Sequence, residues 1–146
     1  MAGMTEPLAP IVLSIETPAS PADAWAALTE PERIAEWFTD ASPLAGVGEP
    51  YRLDFGDGSV VEGTVRLVDP GRRFAHTWAW ADVEPRQETL VTWSVEEMPG
   101  GRGGARVTLT HDGWAESGVD ETARDDHEGY WSGYLDDLAA ILGGEL

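Results

Sequence analysis

The sequence predicts an α+β fold: a curved six-stranded antiparallel sheet, with two short helices after strand 1, wrapping a long C-terminal helix. Two observations carry this. Between residues 43 and 112, short runs of alternating apolar and polar residues are joined by hairpin-length turns, with no candidate for a crossover helix. From Thr122 onward the apolar spacing becomes helical and stays so for about twenty residues, roughly 30 Å of helix and enough to cross a sheet. A chain of 146 residues suits one domain with one core. That domain is expected over 11–143, after a loose, proline-containing leader at 1–10.

The elements follow in order. Ile11, Leu13 and Ile15 alternate with Val12, Ser14 and Glu16, a strand with one apolar face. Ser20 is a good N-cap, Pro21 suits the first helical position and Asp23 the third. The helix they open carries Trp25 and Leu28. Thr29-Glu30-Pro31-Glu32 repeats the pattern, and a second short helix carries Ile34, Trp37 and Phe38. Tyr51, Leu53 and Phe55 alternate in the next strand, and Gly56-Asp57-Gly58 turns the chain, because glycine accepts a positive φ. Val61, Val65 and Leu67 mark a strand that Asp69-Pro70-Gly71 ends. Phe74, His76, Trp78 and Trp80 share one parity, as do Val91, Trp93 and Val95, and then Val107, Leu109 and His111. Pro99–Gly104 reads as a glycine-rich hairpin loop. It opens no helix and holds no lysine, so it is not a phosphate cradle. Thr122 is expected to cap the last helix, with Asp125 at the capping-box position. Trp131, Tyr134, Leu135, Leu138, Ile141 and Leu142 form its apolar stripe, and Gly143-Gly144 stops it.

Several stretches resemble one superfamily. Pro18–Trp25 looks like its first helix entry. Thr29-Glu30-Pro31-Glu32 through Trp37-Phe38 looks like its T-x-P-E…W-F element, the most specific piece. Gly63-Thr64-Val65 through Arg73-Phe74 resembles its central hairpin, Val107–His111 its last strand, and Tyr130-Trp131 with Leu135 and Leu138 its terminal helix. A Gly-Trp pair is more usual in that helix; here Tyr130 separates Gly129 from Trp131. Over about residues 8–142 the chain resembles the SRPBCC (START-like) superfamily, and within it the branch similar to the C-terminal domain of the activator of heat-shock-protein-90 ATPase. The resemblance implies the helix-grip fold. It implies function less directly, because one fold hosts many sites: relatives bind lipids, sterols or plant metabolites, cyclise polyketides, or assist chaperones.

A strongly curved sheet cannot close onto a straight helix, so a pocket is expected between them. Its sheet side is expected to hold Tyr51, Leu53, Phe55, Phe74, His76, Trp78, Trp80, Val91, Trp93, Leu109 and His111. Trp37 and Phe38 would border the opening, and Trp131, Tyr134 and Leu138 would supply the helix side. Seven tryptophans, each with an indole N–H that needs a partner, suit a cavity wall better than a tight aliphatic core. A largely apolar pocket with a few polar groups is the usual small-molecule site. His76 is expected beside Trp93 and His111 beside Val91, which places the rings on the order of 10 Å apart. Each is either an acid or base poised near neutral pH or a hydrogen-bonded wall residue. Trp114 either covers one end of the pocket or packs on the terminal helix.

Binding of a small hydrophobic or aromatic ligand is therefore the function expected. A cavity enzyme using His76 or His111 as acid or base is the alternative from the residues, and the resemblance implies that it would be of polyketide cyclase/dehydratase type. A chaperone ATPase-activating cofactor is the alternative from the resemblance. Other classes are disfavoured. A net charge of −18 repels nucleic acid and anionic membrane surfaces, though it can attract a basic protein partner. The absence of cysteine removes disulfides, thiolate nucleophiles and cysteine-held metals. Asp125-Asp126-His127-Glu128 has the composition of a metal site, but consecutive helical residues point apart, and the helix dipole already accounts for its acids. No metal, no cofactor and no nucleophile are expected. No apolar run approaches the ~20 residues of a membrane span, and Met1–Pro10 lacks the marks of a signal peptide. The expected setting is the cytoplasm, as a monomer or a homodimer paired through an edge strand.

Overall fold

The computed structural model describes residues 9–42, 44, 46–83, 86–98, 103–114 and 119–143. In chain order it comprises β1 (Ile11–Thr17), α1 (Pro21–Thr29), α2 (Pro31–Trp37), β2 (Asp40–Ala41), β3 (Pro50–Asp54), β4 (Val60–Asp69), β5 (Arg73–Trp80), β6 (Thr89–Glu97), β7 (Ala105–Asp112) and α3 (Glu121–Gly143). One curled sheet runs β1-β7-β6-β5-β4-β3-β2, antiparallel between all neighbours. The expected architecture is therefore present with one strand more than the sequence pattern marks. Strand β2 has only two residues, paired with Leu53 and Asp54, and two residues carry no readable alternation. Most of the Pro99–Gly104 loop, residues 1–8 of the leader and Gly144 lie outside the described residues.

The local signals mostly act where they stand. Ser20 caps α1, its hydroxyl accepting from the Asp23 amide at 3.1 Å. The second cap is Glu30 and not Thr29; the Thr29 hydroxyl instead turns back and donates to the Trp25 carbonyl at 2.9 Å. Helix α3 starts two residues earlier than a Thr122 cap implies, because the Asp120 carboxylate reaches the Ala123 amide first, at 2.9 Å. Leu67 is more than one-third exposed, because β4 bulges between Val65 and Leu67. The extra residue there reverses the inside–outside parity that Val61 and Val65 set, and Val68 packs on the core instead.

Helix α3 is tied to the sheet at the start of β1. Helix α3 packs against β1, and Arg124 in its first turns donates to the Ala9 and Pro10 carbonyls at 3.0 and 3.3 Å. The Arg124 guanidinium also pairs with Glu128, one turn along, at 2.6 Å. Trp131, Leu135, Leu138 and Leu142 bury one stripe of α3 against the concave face of the sheet. Helices α1 and α2 close the flank, where Ile34 and Trp37 are buried and the Trp37 indole donates to the Ala27 carbonyl at 2.8 Å.

Candidate functional site

The register places Val91 between His76 and His111, each of which is its Cα partner across one strand pair. His76 was expected opposite Trp93. The partner of Trp93 is Phe74, a slip of two residues that keeps every side chain on its face. The Trp93 indole nevertheless reaches the His76 ring.

That contact belongs to a set. The Trp93 indole N–H donates to His76 Nε2 at 3.3 Å, the Trp131 indole to His111 Nδ1 at 2.9 Å, and the Trp80 indole to His127 Nε2 at 2.9 Å. An indole nitrogen only donates, so each accepting imidazole nitrogen is unprotonated and the proton sits on the other. His76 Nδ1–H then faces the Tyr51 hydroxyl at 2.9 Å and the Thr77 carbonyl at 3.2 Å, and the Tyr51 hydroxyl itself donates to that carbonyl. His111 Nε2–H donates to the Thr89 hydroxyl at 2.7 Å, which passes its proton to the Trp78 carbonyl at 3.2 Å. His127 Nδ1–H donates to the Ala123 carbonyl at 2.7 Å. All three histidines of the chain are thus held neutral in one tautomer. Their acidities agree. Burial pushes His76 down to about 4, against a weak opposing pull from the Thr77 carbonyl. Burial, then the neighbouring His127 and His76, holds His111 well below its usual value, and burial also lowers His127.

Next to this network the structure opens. A cavity of about 650 Å³ lies between β5, the β3–β4 turn, Phe38 and the first turns of α3. Of the residues expected around a pocket, Phe38, Phe55, Trp78, Trp80, Trp131 and Tyr134 line it. Trp37, Leu53, His76 and Trp93 border instead a separate void of about 10 Å³, room for one water at most. Tyr51, Phe74, Val91, Leu109, His111 and Leu138 are buried within the packed core. The empty volume is therefore displaced toward one end of the sheet, because Phe74, Trp93 and Trp37 fill the other. Trp37 and Trp93 meet edge to face at 5.9 Å, and Trp25 meets Phe74 at 5.3 Å.

Further residues line the cavity that the strand pattern did not single out. Trp114 covers one end and is almost fully buried, with its ring 4.1 Å from His111 and 5.1 Å from His127 on the helix. Both placements open to it therefore hold together. His127 and Tyr130 line the helix side. Their spacing to Trp131 and Tyr134, three or four residues, puts them on that face, a signal present in the sequence but masked by the run of acids around His127. Asp57, Asp82 and Asp126 stand at the exposed rim, with Gln87 and Ser59. Trp78 carries the one buried side-chain polar atom without a hydrogen-bond partner among the described residues, its indole nitrogen. No three His, Asp or Glu among the described residues are placed to hold a metal ion together, and no described helix is long and apolar enough to cross a membrane.

The family model described as "Activator of Hsp90 ATPase homolog 1-like protein" matches residues 18–143. No protein of curated function matches the chain in sequence. Among solved structures, protein MLL2253 from Mesorhizobium loti superposes with a TM-score of 0.81 at 22% identity, over 92% of this chain and 96% of that one. DynU16, a putative protein in the dynemicin biosynthetic locus, does so with a TM-score of 0.80 at 27% identity. That match covers 94% of this chain but only 48% of DynU16, so the chain spans about half of that relative. The Aha1 dimer from Colwellia psychrerythraea gives 0.76 at 24% identity, over 94% of this chain and 98% of that one.

Proposed function

The chain belongs to the Activator of Hsp90 ATPase homolog 1-like family, and from that premise we propose that it binds a small, largely hydrophobic molecule between the sheet and the C-terminal helix. The observation that carries this is the aromatic cavity of about 650 Å³ beside an otherwise filled interior. Its size lies within the range of small-molecule sites, about 300–1,000 Å³. Walls of Phe38, Phe55, Trp78, Trp80 and Trp131 offer broad flat surfaces at little entropic cost, because they are already packed against one another. The likeness to DynU16 supports a ligand from small-molecule chemistry.

The reading is binding without chemistry at the histidines. His76 and His111 are not among the residues lining the large cavity, and both nitrogens of each ring are engaged. Proton transfer through either would first break an indole or hydroxyl bond inside the core. We assign these rings to solvating buried indoles.

The test is titration of the protein with a panel of neutral polycyclic aromatic and acyl compounds, followed by the indole N–H resonances of Trp78, Trp80 and Trp131. Binding members are expected to shift these three and to raise the unfolding temperature, by an amount equivalent to ~2.7 kcal/mol at one hundred times Kd. Ala123 lines the cavity, so Ala123→Phe should occupy part of it and weaken the response in a folded protein. A panel that leaves all three indoles unmoved would sink the proposal.

A further inference from the structure

We infer that the preferred ligand is a cation: an amine or quaternary ammonium group carried on a flat apolar body. The inference rests on the binding reading above and concerns what the cavity selects.

Two independent features of the cavity favour positive charge. The first is its walls. Phe38, Phe55, Trp78, Trp80, Trp131 and Tyr134 present aromatic rings to one volume. The face of an aromatic ring carries negative potential, and a cation within ~6 Å of several ring centres is attracted to each. The rings already lie close together: Phe55 and Trp80 are 5.5 Å apart, Trp78 and Trp80 5.8 Å, and Trp78 and Trp131 5.0 Å. A cation seated in the cavity beside this cluster lies near several of its rings at once.

The second feature is the rim. Asp57, Asp82 and Asp126 border the opening, and no arginine is among the described residues that line it. The chain contains no lysine at all. None of these three aspartates takes part in an ion pair among the described residues, where arginines pair with Asp23, Glu36, Asp54, Glu88, Asp69, Glu16, Asp125 and Glu128. The rim charge is therefore not neutralised from within. His127, the one histidine among the described lining residues, accepts the Trp80 indole N–H at Nε2 and is kept neutral by burial, against the opposing pull of the Ala123 carbonyl, so it supplies no competing positive charge. An anionic ligand would meet three carboxylates and the faces of the rings. A cationic one meets complementary charge from the approach to the seat.

The experiment uses the full chain and three probes with one body: (1-naphthylmethyl)trimethylammonium, 1-naphthylmethanol and 1-naphthylacetate. Calorimetry and the Trp78, Trp80 and Trp131 indole resonances report binding. The ammonium is expected to bind at least tenfold more tightly than the alcohol, and the acetate most weakly. Raising NaCl from 20 to 200 mM should weaken the ammonium alone, because rim charges are screened. In the triple variant Asp57→Asn, Asp82→Asn, Asp126→Asn the ammonium should lose about tenfold while the alcohol changes less than twofold. Asparagine keeps the oxygen that accepts from the Ser59 amide, so the turn is preserved. An alcohol that binds as tightly as the ammonium, or an ammonium preference unchanged in the triple variant, overturns the inference and leaves hydrophobic binding standing. No binding by any of the three removes both.

Discussion

Seven indoles and three imidazoles in one small chain set a problem of solvation at the residue scale. A buried N–H without an acceptor costs about 1–3 kcal/mol, and a buried imidazolium costs more. Pairing them answers both, since the imidazole lone pair takes the indole proton and the ring stays neutral. Two predictions follow from this pairing. Trp131→Phe leaves the His111 lone pair unmet in the core, whereas Trp78→Phe deletes a donor that has no partner already. Both remove similar packing, so Trp131→Phe should cost about 2 kcal/mol more than Trp78→Phe in urea unfolding. Equal losses would show that the indole–imidazole bond contributes nothing. The second concerns acid. His76 titrates near 6.5 when unfolded and at about 4 when folded, so below pH 6.5 the unfolded chain binds a proton that the folded one refuses. Its contribution is complete above pH 6.5 and is lost as pH falls toward 4, reaching about 3 kcal/mol. The ring resonances of His76 should therefore stay unchanged from pH 8 to 5. Stability between pH 6.5 and 4.5 should fall more steeply in the wild type than in a His76→Asn variant.

At the scale of the element, the position that sets the Tyr51–His76 contact is a glycine in β4. A Cβ on Gly63 would stand 2.7 Å from both the Thr77 hydroxyl and the Tyr51 ring, and closer still to the Thr77 carbonyl. Backbone on one side and a buried ring on the other cannot both move away. Gly63→Ala should cost about 1–3 kcal/mol and displace the Tyr51 hydroxyl from His76, which the His76 ring resonances would report. Gly133 in α3 is the contrast: it is exposed, and an added Cβ there meets nothing. Gly133→Ala should raise stability by roughly 0.5–1 kcal/mol through helix propensity. Thermal unfolding of the two variants side by side checks both signs.

Across the whole molecule, the strands and the terminal helix were legible because each repeats a period over many residues: Phe74 to Trp80 in twos, Trp131 to Leu142 in threes and fours. The two-residue β2 and the bulge near Leu67 were not, since neither has a period of its own. The site was legible in part. Phe38, Phe55, Trp78, Trp80, Trp131 and Tyr134 line the cavity as the strand parity and helical stripe imply. Parity alone does not tell which stretch of an inward face is covered by its own neighbours. The packing of Phe74, Trp93 and Trp37 is a property of three elements meeting, and it moves the open volume to one end. In the sequence Asp57 reads as a turn residue and Asp126 as an acid of the helix N-terminus; that a turn (Asp57), a loop (Asp82) and a helix (Asp126) come together at the cavity follows from no local pattern.

The pairing of β1 with β7, residue for residue from Ile11↔His111 to Thr17↔Ala105, also has a consequence for how the chain is made. Strand β1 has its neighbour roughly a hundred residues downstream, and the helix that covers it comes later still. Until β7 and α3 have been made, Ile11, Leu13 and Ile15 have no native surface to rest on. Closing so long a loop slows folding relative to a protein of local contacts.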